Sequence, residues 1–365
     1  MKSRGWVWPV VVVVLFVGAA FALQRIAARE YDLSPPTLSR QVAAAPPLAN
    51  VLQDQGNSVP LRDGRTLWIF ADTAHLAADP KFFVTSSAGV TARGGLELTY
   101  VNAFGTPVEF LPRTDAEKAD QVVGQHYTAV WPTGATTLPD GTVLIAYAKY
   151  KVQMQPQPSF TFVAGGLYSY TYQGFSKVGF GASATRTADD IWTSADGPVA
   201  SPVYSDGFVY FTRCVQYKCY SARTTPAGLA TRDAYRWWTG AGWGPRDEAE
   251  ALTFGSDVPG QNPAVVFDPR DGVFVMTDTT GGIQDGTGLL WVARRPWGPW
   301  SKAASFPLPQ CPAGGCYTLN VHPLDSPAGQ LRVSFATNGL GPFVRVVDVP
   351  VEITDGDRPS ISTGT

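Results

Sequence analysis

Residues 58–73 read SVPLRDGRTLWIFADT, which places an Asp-Gly pair between two runs of alternating apolar residues. This is one of the strongest short-range signals for a β-hairpin. A similar glycine turn followed by an apolar strand recurs at residues 135–150, 200–213, 264–279 and 323–338. The five turn glycines are Gly64, Gly141, Gly207, Gly272 and Gly329.

The repeats are spaced roughly 60 to 70 residues apart, which leaves room for two further strands in each unit. Such strands are visible at residues 166–175, 235–254 and 293–306. Four strands per unit and five units predict a five-bladed β-propeller over residues 50–353. A six-bladed propeller with one degenerate blade and a pair of stacked β-sandwiches remain as alternatives.

The composition favours an all-β fold. Charged residues make up 16% of the chain, and 37 glycines and 30 prolines accompany 11 Trp, 14 Tyr and 19 Phe. Aromatic residues and turn formers in these numbers are typical of short strands joined by tight turns. The formal net charge of -2 provides no basic surface for nucleic acid, so that class of partner is excluded.

The N-terminus carries an export signal. Lys2 and Arg4 precede an apolar run over residues 6–23, which predicts a signal peptide or a signal anchor over residues 1–23. Residues 24–49, with four prolines between 35 and 47, predict an extended spacer, and residues 354–365 predict a disordered tail. We expect a monomer that is secreted or anchored to the outer face of the cytoplasmic membrane, and that touches the membrane only through the N-terminal segment.

The four cysteines occur as two pairs, each pair five residues apart. In an oxidising compartment this spacing predicts the disulfides Cys214–Cys219 and Cys311–Cys316. A four-thiolate zinc site is the alternative, although zinc ligands are more often two residues apart.

Propeller geometry predicts which side chains meet. Equivalent strands point the same way around a central channel, so their equivalent ends lie at one mouth. The second strands of the repeats end in polar residues, namely Asp72, Lys149, Arg213, Asp278 and Asn338. The strands before the turns offer a second polar and aromatic set, namely Asp54, His126, Trp131, Asn262, Asn320 and His322. Amide, imidazole and carboxylate groups beside a Trp ring suit a sugar ligand.

Asp54 and Asp72 lie at nearly symmetric distances on either side of the Asp63-Gly64 turn, so the paired strands should bring them together. Two adjacent carboxyl groups raise each other's proton affinity, as required of an acid and a base or nucleophile in glycoside hydrolysis. Alternatively, one of them caps the turn or binds a structural cation.

The Asp54-x-Gly56 motif, the hairpin and the strand closing in Asp72-Thr73 resemble the exported bacterial five-bladed propellers that were once a domain of unknown function and are known as endo-D-arabinanases. Residues 296–301 (PWGPWS) and the pair His322-Pro323 support the resemblance, which spans residues 51–351. It implies that Asp54 and Asp72 are the catalytic pair, and that Lys149, Arg213, Asn262 and Asp278 orient furanose hydroxyls. Asp278 is the reserve acid.

Two functions from different classes follow. The first is a glycoside hydrolase that attacks a furanose polymer, with cell-wall D-arabinan as the implied substrate. The second is a non-catalytic propeller that binds glycan or protein at the cell surface, because propellers also serve as binding scaffolds. Neither function calls for a cofactor or a metal ion.

Overall fold

The structure is a computed structural model that describes residues 31–32, 40–41, 43–44, 51–75, 83–101, 107–122, 124–175, 183–255, 257–260, 263–279, 286–311, 315–337 and 343–350. The predicted signal or anchor segment and the predicted tail lie outside these residues, as do Asn262 and Asn338. Among the described residues, no helix is long and apolar enough to cross a membrane.

Three two-residue strands come first: β1 (Tyr31–Asp32), β2 (Arg40–Gln41) and β3 (Ala43–Ala44). The remaining strands belong to five sheets that follow one another along the chain, which we call blades I to V. Blade I contains β4 (Val51–Pro60), β5 (Thr66–His75), β6 (Phe83–Val84), β7 (Ser87–Thr91) and β8 (Glu97–Tyr100). Blade II contains β9 (His126–Thr137), β10 (Thr142–Gln153), β11 (Ser159–Thr171) and β12 (Thr185–Thr193).

Blade III contains β13 (Val203–Ser205), β14 (Phe208–Val215), β15 (Lys218–Thr224), β16 (Arg236–Trp238) and β17 (Trp243–Gly244). Blade IV contains β18 (Ala264–Asp268), β19 (Val273–Thr279), β20 (Thr287–Ala293) and β21 (Ser301–Pro307). Blade V contains β22 (Cys316–Val321), β23 (Leu331–Thr337) and β24 (Phe343–Val349). A short helix, α1 (Asp115–Ala119), lies between blades I and II, and 3-10 helices occur at Pro226–Gly228, Arg232–Ala234, Arg246–Glu248 and Pro323–Asp325.

The first strands of the blades surround the axis. Strand β4 contacts both β9 and β22, while β13 contacts both β9 and β18, and β18 contacts β22. These contacts close a ring of five blades. The prediction of a five-bladed β-propeller is confirmed, and the six-bladed and two-sandwich alternatives are wrong.

Each pair of neighbouring blades encloses its own apolar cluster, so both faces of most strands are buried. This burial explains why the strands are almost continuously apolar. One residue from each side identifies the five clusters: Ile69 with Val143, Leu144 with Phe211, Val203 with Met276, Val275 with Phe335, and Trp68 with Val344.

The five turn glycines all join the first strand of a blade to the second, as the repeat predicts. Each has a positive φ, with values of 79°, 81°, 82°, 66° and 68° in chain order. Glycine adopts this left-handed conformation without a steric penalty, which explains its presence at these turns. The turns mark one face of the ring, which we call the turn face. The opposite face, where the second strands end, we call the site face.

Both predicted disulfides are confirmed. Cys214 bonds to Cys219 directly across the β14–β15 hairpin, and Cys311 bonds to Cys316 at the start of β22. No free cysteine remains among the described residues, so the zinc alternative is wrong.

The predicted spacer contains the three short N-terminal strands, and each pairs with the outer part of a different blade. Strand β1 pairs with β21 of blade IV, β2 with β24 of blade V, and β3 with β8 of blade I. Strand β2 is the fourth strand of blade V, because the C-terminal part of the chain contributes only three described strands to that sheet.

Candidate active site

Asp54 and Asp72 lie together at the site face of blade I. The strands β4 and β5 pair Gln53 with Thr73 and then Gln55 with Phe70, so a bulge places Asp54 opposite the Ala71-Asp72 step. Within this bulge, Gln55 and Gly56 have φ values of 66° and 86°. A bulge of this kind bends a strand and re-aims its side chains.

Two donors from blade II hold the Asp72 carboxylate. The Tyr127 hydroxyl donates to Oδ2 at 2.6 Å, and the Trp131 indole N–H donates to Oδ1 at 2.7 Å. Burial raises the pKa of Asp72 to about 6, while these two hydrogen bonds and the charge of Arg113 act in the opposite direction. Asp72 is therefore a half-buried residue, and its ionised form is better supported by hydrogen bonds than that of Asp54.

Asp54 has a different environment. The Tyr317 hydroxyl of blade V donates to its Oδ2 at 3.1 Å, whereas its buried Oδ1 has no hydrogen-bond partner among the described residues. Burial, followed by the negative charge of Asp72, raises the pKa of Asp54 well above its ordinary value. Asp54 is therefore the group that keeps the proton, and Oδ1 is the oxygen free to donate it.

A second set of contacts keeps the pair in place. Arg113 is buried beside blade I, where its guanidinium donates to Glu109 at 2.5 Å and to the Thr128 carbonyl at 3.2 Å. On the other side, Asn320 donates to the Gln55 carbonyl at 3.1 Å and so supports the bulge that carries Asp54.

Sequence reasoning missed Tyr127, Tyr317 and Arg113. Tyr127 lies four residues before Trp131 on β9, and this even spacing along a strand places both on one face, so it could have been found. Tyr317 is the second residue of β22, the inner strand of blade V, and lies at the site face. The bonds made by Arg113, which follows a loop, could not be read from any periodic pattern.

The predicted sugar-binding residues divide into several groups. Trp131 lies at the pair, and Asn320 supports it. Asp278 is the second-last residue of β19, at the site face of blade IV. Its two carboxylate oxygens accept hydrogen bonds from the backbone N–H groups of Thr279 and Gly260, each at 2.8 Å. Because both carboxylate oxygens of Asp278 accept backbone hydrogen bonds, Asp278 is a poor reserve acid.

Two predicted contacts are corrected. His322 is only 2% exposed, because it lies five residues deeper along the channel than Tyr317. Its ring nitrogens are 2.5 Å from the Ser58 hydroxyl and 2.8 Å from that of Ser334, and burial, with the charge of Arg332, lowers its pKa to about 3. It is a neutral core residue without access to a ligand.

Lys149 is the second correction. Its ammonium lies 3.2 Å from Glu117 of α1, and 3.4 Å from both Asp189 and Asp190. These three carboxylates form ion pairs with the Lys149 ammonium at the interface of blades I and II. The end of β10 therefore directs Lys149 into an ion cluster instead of toward Asp72.

Arg213 and His126 lie toward the site face, on β14 and β9, where their described contacts are with other residues than the carboxyl pair. The Arg213 guanidinium donates to the Ala195 carbonyl at 3.5 Å and lies 5.9 Å from the Tyr220 ring. His126 begins β9 beside Val122, with which it forms a β-bridge. Within the described ranges, no three His, Cys, Asp or Glu side chains are grouped as metal ligands.

Comparison with known proteins supports the architecture. No protein-family model matches the chain, and no curated protein matches its sequence. Among solved structures, a candidate hydrolase from Bacteroides ovatus has a TM-score of 0.56 and 17% identity, with 84% of this chain and 87% of that chain covered. The GH43_1 enzyme from Xanthomonas citri complexed with xylose has a TM-score of 0.51 and 10% identity, covering 86% and 90%.

A third structure, RS223 β-xylosidase, has a TM-score of 0.50 and 8% identity, covering 86% of this chain and 98% of that chain. At such low identities the similarity concerns the fold. The chain shares its propeller architecture with these proteins over most of its length.

Proposed function

We propose that the chain is a glycoside hydrolase that cleaves a furanose polymer internally, with cell-wall D-arabinan as its substrate. The observation that carries this proposal is the carboxyl pair in unequal environments. Asp54 has a buried oxygen without a hydrogen-bond partner among the described residues and a raised pKa, while two donors hold Asp72. Such a difference in environment divides the roles of acid and nucleophile between two carboxyl groups.

The structural neighbours support glycoside hydrolysis, and the sequence resemblance supports the choice of substrate. Among the neighbours with this architecture are a GH43_1 enzyme bound to xylose and a β-xylosidase, so the fold accommodates glycoside hydrolysis. The choice of D-arabinan rests on the resemblance of the Asp54-to-Thr73 region to endo-D-arabinanases.

The residues suggest a reaction in two steps. Asp54 donates its proton to the glycosidic oxygen as the bond to the leaving sugar breaks, and the Asp72 carboxylate attacks the anomeric carbon. In the second step Asp54, now ionised, takes a proton from water, and the resulting hydroxide displaces Asp72 from the sugar. Tyr127 and Trp131 orient the attacking carboxylate, and Tyr317 orients the acid.

We also propose that the protein acts outside the cytoplasm, either secreted or held at the outer face of the membrane by its N-terminal segment. The basic residues Lys2 and Arg4 before the apolar run over residues 6–23 support this location. The two disulfides also support it, because such bonds persist in oxidising compartments.

The test is incubation of the exported part with D-arabinan, L-arabinan and xylan, followed by separation of the products. We expect D-arabinan to give a ladder of oligosaccharides, and expect Asp54→Asn and Asp72→Asn each to lower the rate by at least ~100-fold. Asp140→Asn is the matched control, because Asp140 is exposed in a turn at the turn face, where Asn is equally suited.

Full activity in both Asp→Asn variants would contradict the proposed pair. Glycan binding by the unmutated protein without any cleavage would instead support the non-catalytic alternative.

A further inference from the structure

Blade II carries a hairpin that extends beyond the carboxyl pair. Strands β10 and β11 are 12 and 13 residues long, whereas β14, β19 and β23 have eight, seven and seven residues. Strand β10 continues four residues past Lys149, which adds about 13 Å at the rise of an extended strand. The hairpin therefore forms a wall along one side of the site face.

Aromatic rings line this wall from the pair outward. Trp131, which donates to Asp72, has its ring centroid 5.1 Å from that of Tyr150 and 5.9 Å from that of Phe160. Tyr150 in turn contacts Phe162 at 5.5 Å. We call Trp131, Tyr150, Phe160 and Phe162 the aromatic wall.

Phe160 is the unusual member of the aromatic wall, because it is 54% exposed. Part of its surface lies against Trp131, and the rest faces solvent. An exposed Phe on an elongated hairpin contributes little to the core. Because Trp131 also holds Asp72, the exposed surface of Phe160 is available to a ligand that occupies the site.

The chemistry of the hairpin tip specifies the ligand class. Residues 152–163 read VQMQPQPSFTFV and contain no charged side chain, while three exposed glutamines, Gln153, Gln155 and Gln157, alternate along it. Amide groups satisfy hydroxyls, and an aromatic face packs on the C–H surface of a sugar ring. Lys151, which directly precedes the tip, is paired with Asp120 at 2.8 Å, so the tip favours a neutral ligand.

We propose that the aromatic wall is a binding subsite for the neutral glycan chain beyond the scissile bond, with Phe160 stacked on a sugar ring. This inference rests on the proposed function and deepens it. Because the aromatic wall binds part of the polymer distant from the carboxyl pair, it favours long chains over short ones. It thus provides a physical basis for cleavage inside a polymer.

The experiment measures binding by calorimetry with the Asp54→Asn chain, in which turnover should be at least ~100-fold slower. The ligands are a D-arabinan disaccharide and an octasaccharide. We expect Phe160→Ala to weaken octasaccharide binding about tenfold and to leave disaccharide binding unchanged, since truncating one well-packed aromatic contact has effects of this size. Phe160→Trp should retain the affinity.

Phe267→Ala is the matched control, because Phe267 is also an exposed aromatic (41%) but lies next to the turn face on β18. Equal octasaccharide affinity of the Phe160→Ala and parent chains would overturn the subsite. If D-arabinan does not bind but L-arabinan or xylan binds in a Phe160-dependent way, the D-arabinan assignment fails and the subsite stands. If none of the three polymers binds, the subsite is overturned as well.

Discussion

At the scale of single residues, Asp54 and Asp72 differ in how many hydrogen bonds their carboxylate oxygens accept. Asp72 receives two hydrogen bonds from blade II, and Asp54 receives one from blade V. Three blades thus contribute to two carboxyl groups. Because the two groups interact, they titrate as a pair, and activity requires the state with a single proton.

This sharing of one proton predicts a bell-shaped pH profile of kcat/KM. The acid limb belongs to the ionisation of Asp72, so we expect it near pH 6. Below this pH the nucleophile is protonated and activity falls. At higher pH activity falls again, when Asp54 loses its proton.

Two tyrosine variants should show which carboxyl group produces the acid limb and which the alkaline limb of the pH profile. Tyr127→Phe removes a bond that stabilises ionised Asp72, so the acid limb should move up by about one pH unit. Tyr317→Phe removes the corresponding bond from Asp54 and should move the alkaline limb up. Kinetics between pH 4 and pH 9 measure both. The assignment of the two roles would be contradicted if Tyr127→Phe moved only the alkaline limb.

At the scale of elements, the bulge in β4 determines the reaction geometry. Carboxyl groups ~5–5.5 Å apart are typical of retaining glycosidases and ~6.5–9.5 Å of inverting ones, and the proposed double displacement requires the shorter separation. The bulge places Asp54 opposite the Ala71-Asp72 step of the paired strand, which favours that shorter separation. We therefore expect the first product to keep the anomeric configuration of the substrate, as observed by NMR during early turnover. An inverted first product would show that Asp72 acts as a base.

Gly56 holds the bulge, for two reasons. Its φ is +86°, and a Cβ at this position would lie 2.7 Å from Cγ1 of Val344 in blade V. We expect Gly56→Ala to lower the free energy of unfolding by roughly 1–3 kcal/mol, and to lower activity because Asp54 shifts. Gly64→Ala is the control: its φ is +79°, but nothing lies within 4 Å of the added Cβ.

Urea unfolding at one pH compares these two alanine variants. The bulge would not be needed for the site if Gly56→Ala retained full activity and lost no more stability than Gly64→Ala.

The elements also show how far sequence reasoning reaches. Alternation and turn glycines predicted the strands, and symmetry about the Asp63-Gly64 turn predicted that Asp54 would meet Asp72. The errors at His322 and Lys149 have a common cause. The depth of a residue along the channel depends on where its strand begins, and the partners of its side chain depend on the neighbouring blade. Neither is encoded in the local pattern.

At the scale of the whole molecule, the N-terminal strands belong to the propeller. Blade V is complete only when β2 pairs with β24. We expect a chain that begins at residue 45 to melt at a lower temperature than one that begins at residue 30, because the edge of β24 is then uncovered.

Hydrogen exchange localises this effect. In the shorter chain, amides of Phe343–Val349 should exchange faster, while those of β10, in blade II, should keep their protection. Unchanged protection of β24 would show that β2 adds nothing to blade V.

The pairing of β2 with β24 also has a consequence for the time course of folding. Arg40 lies opposite Val346, so one partner emerges from the ribosome roughly 300 residues before the other. At a synthesis rate of about 5–20 residues per second, β24 is made roughly 15 to 60 seconds after β2. During this interval blades I to IV can form, but the ring stays open. Blade V can therefore be completed only after β24 has been synthesised.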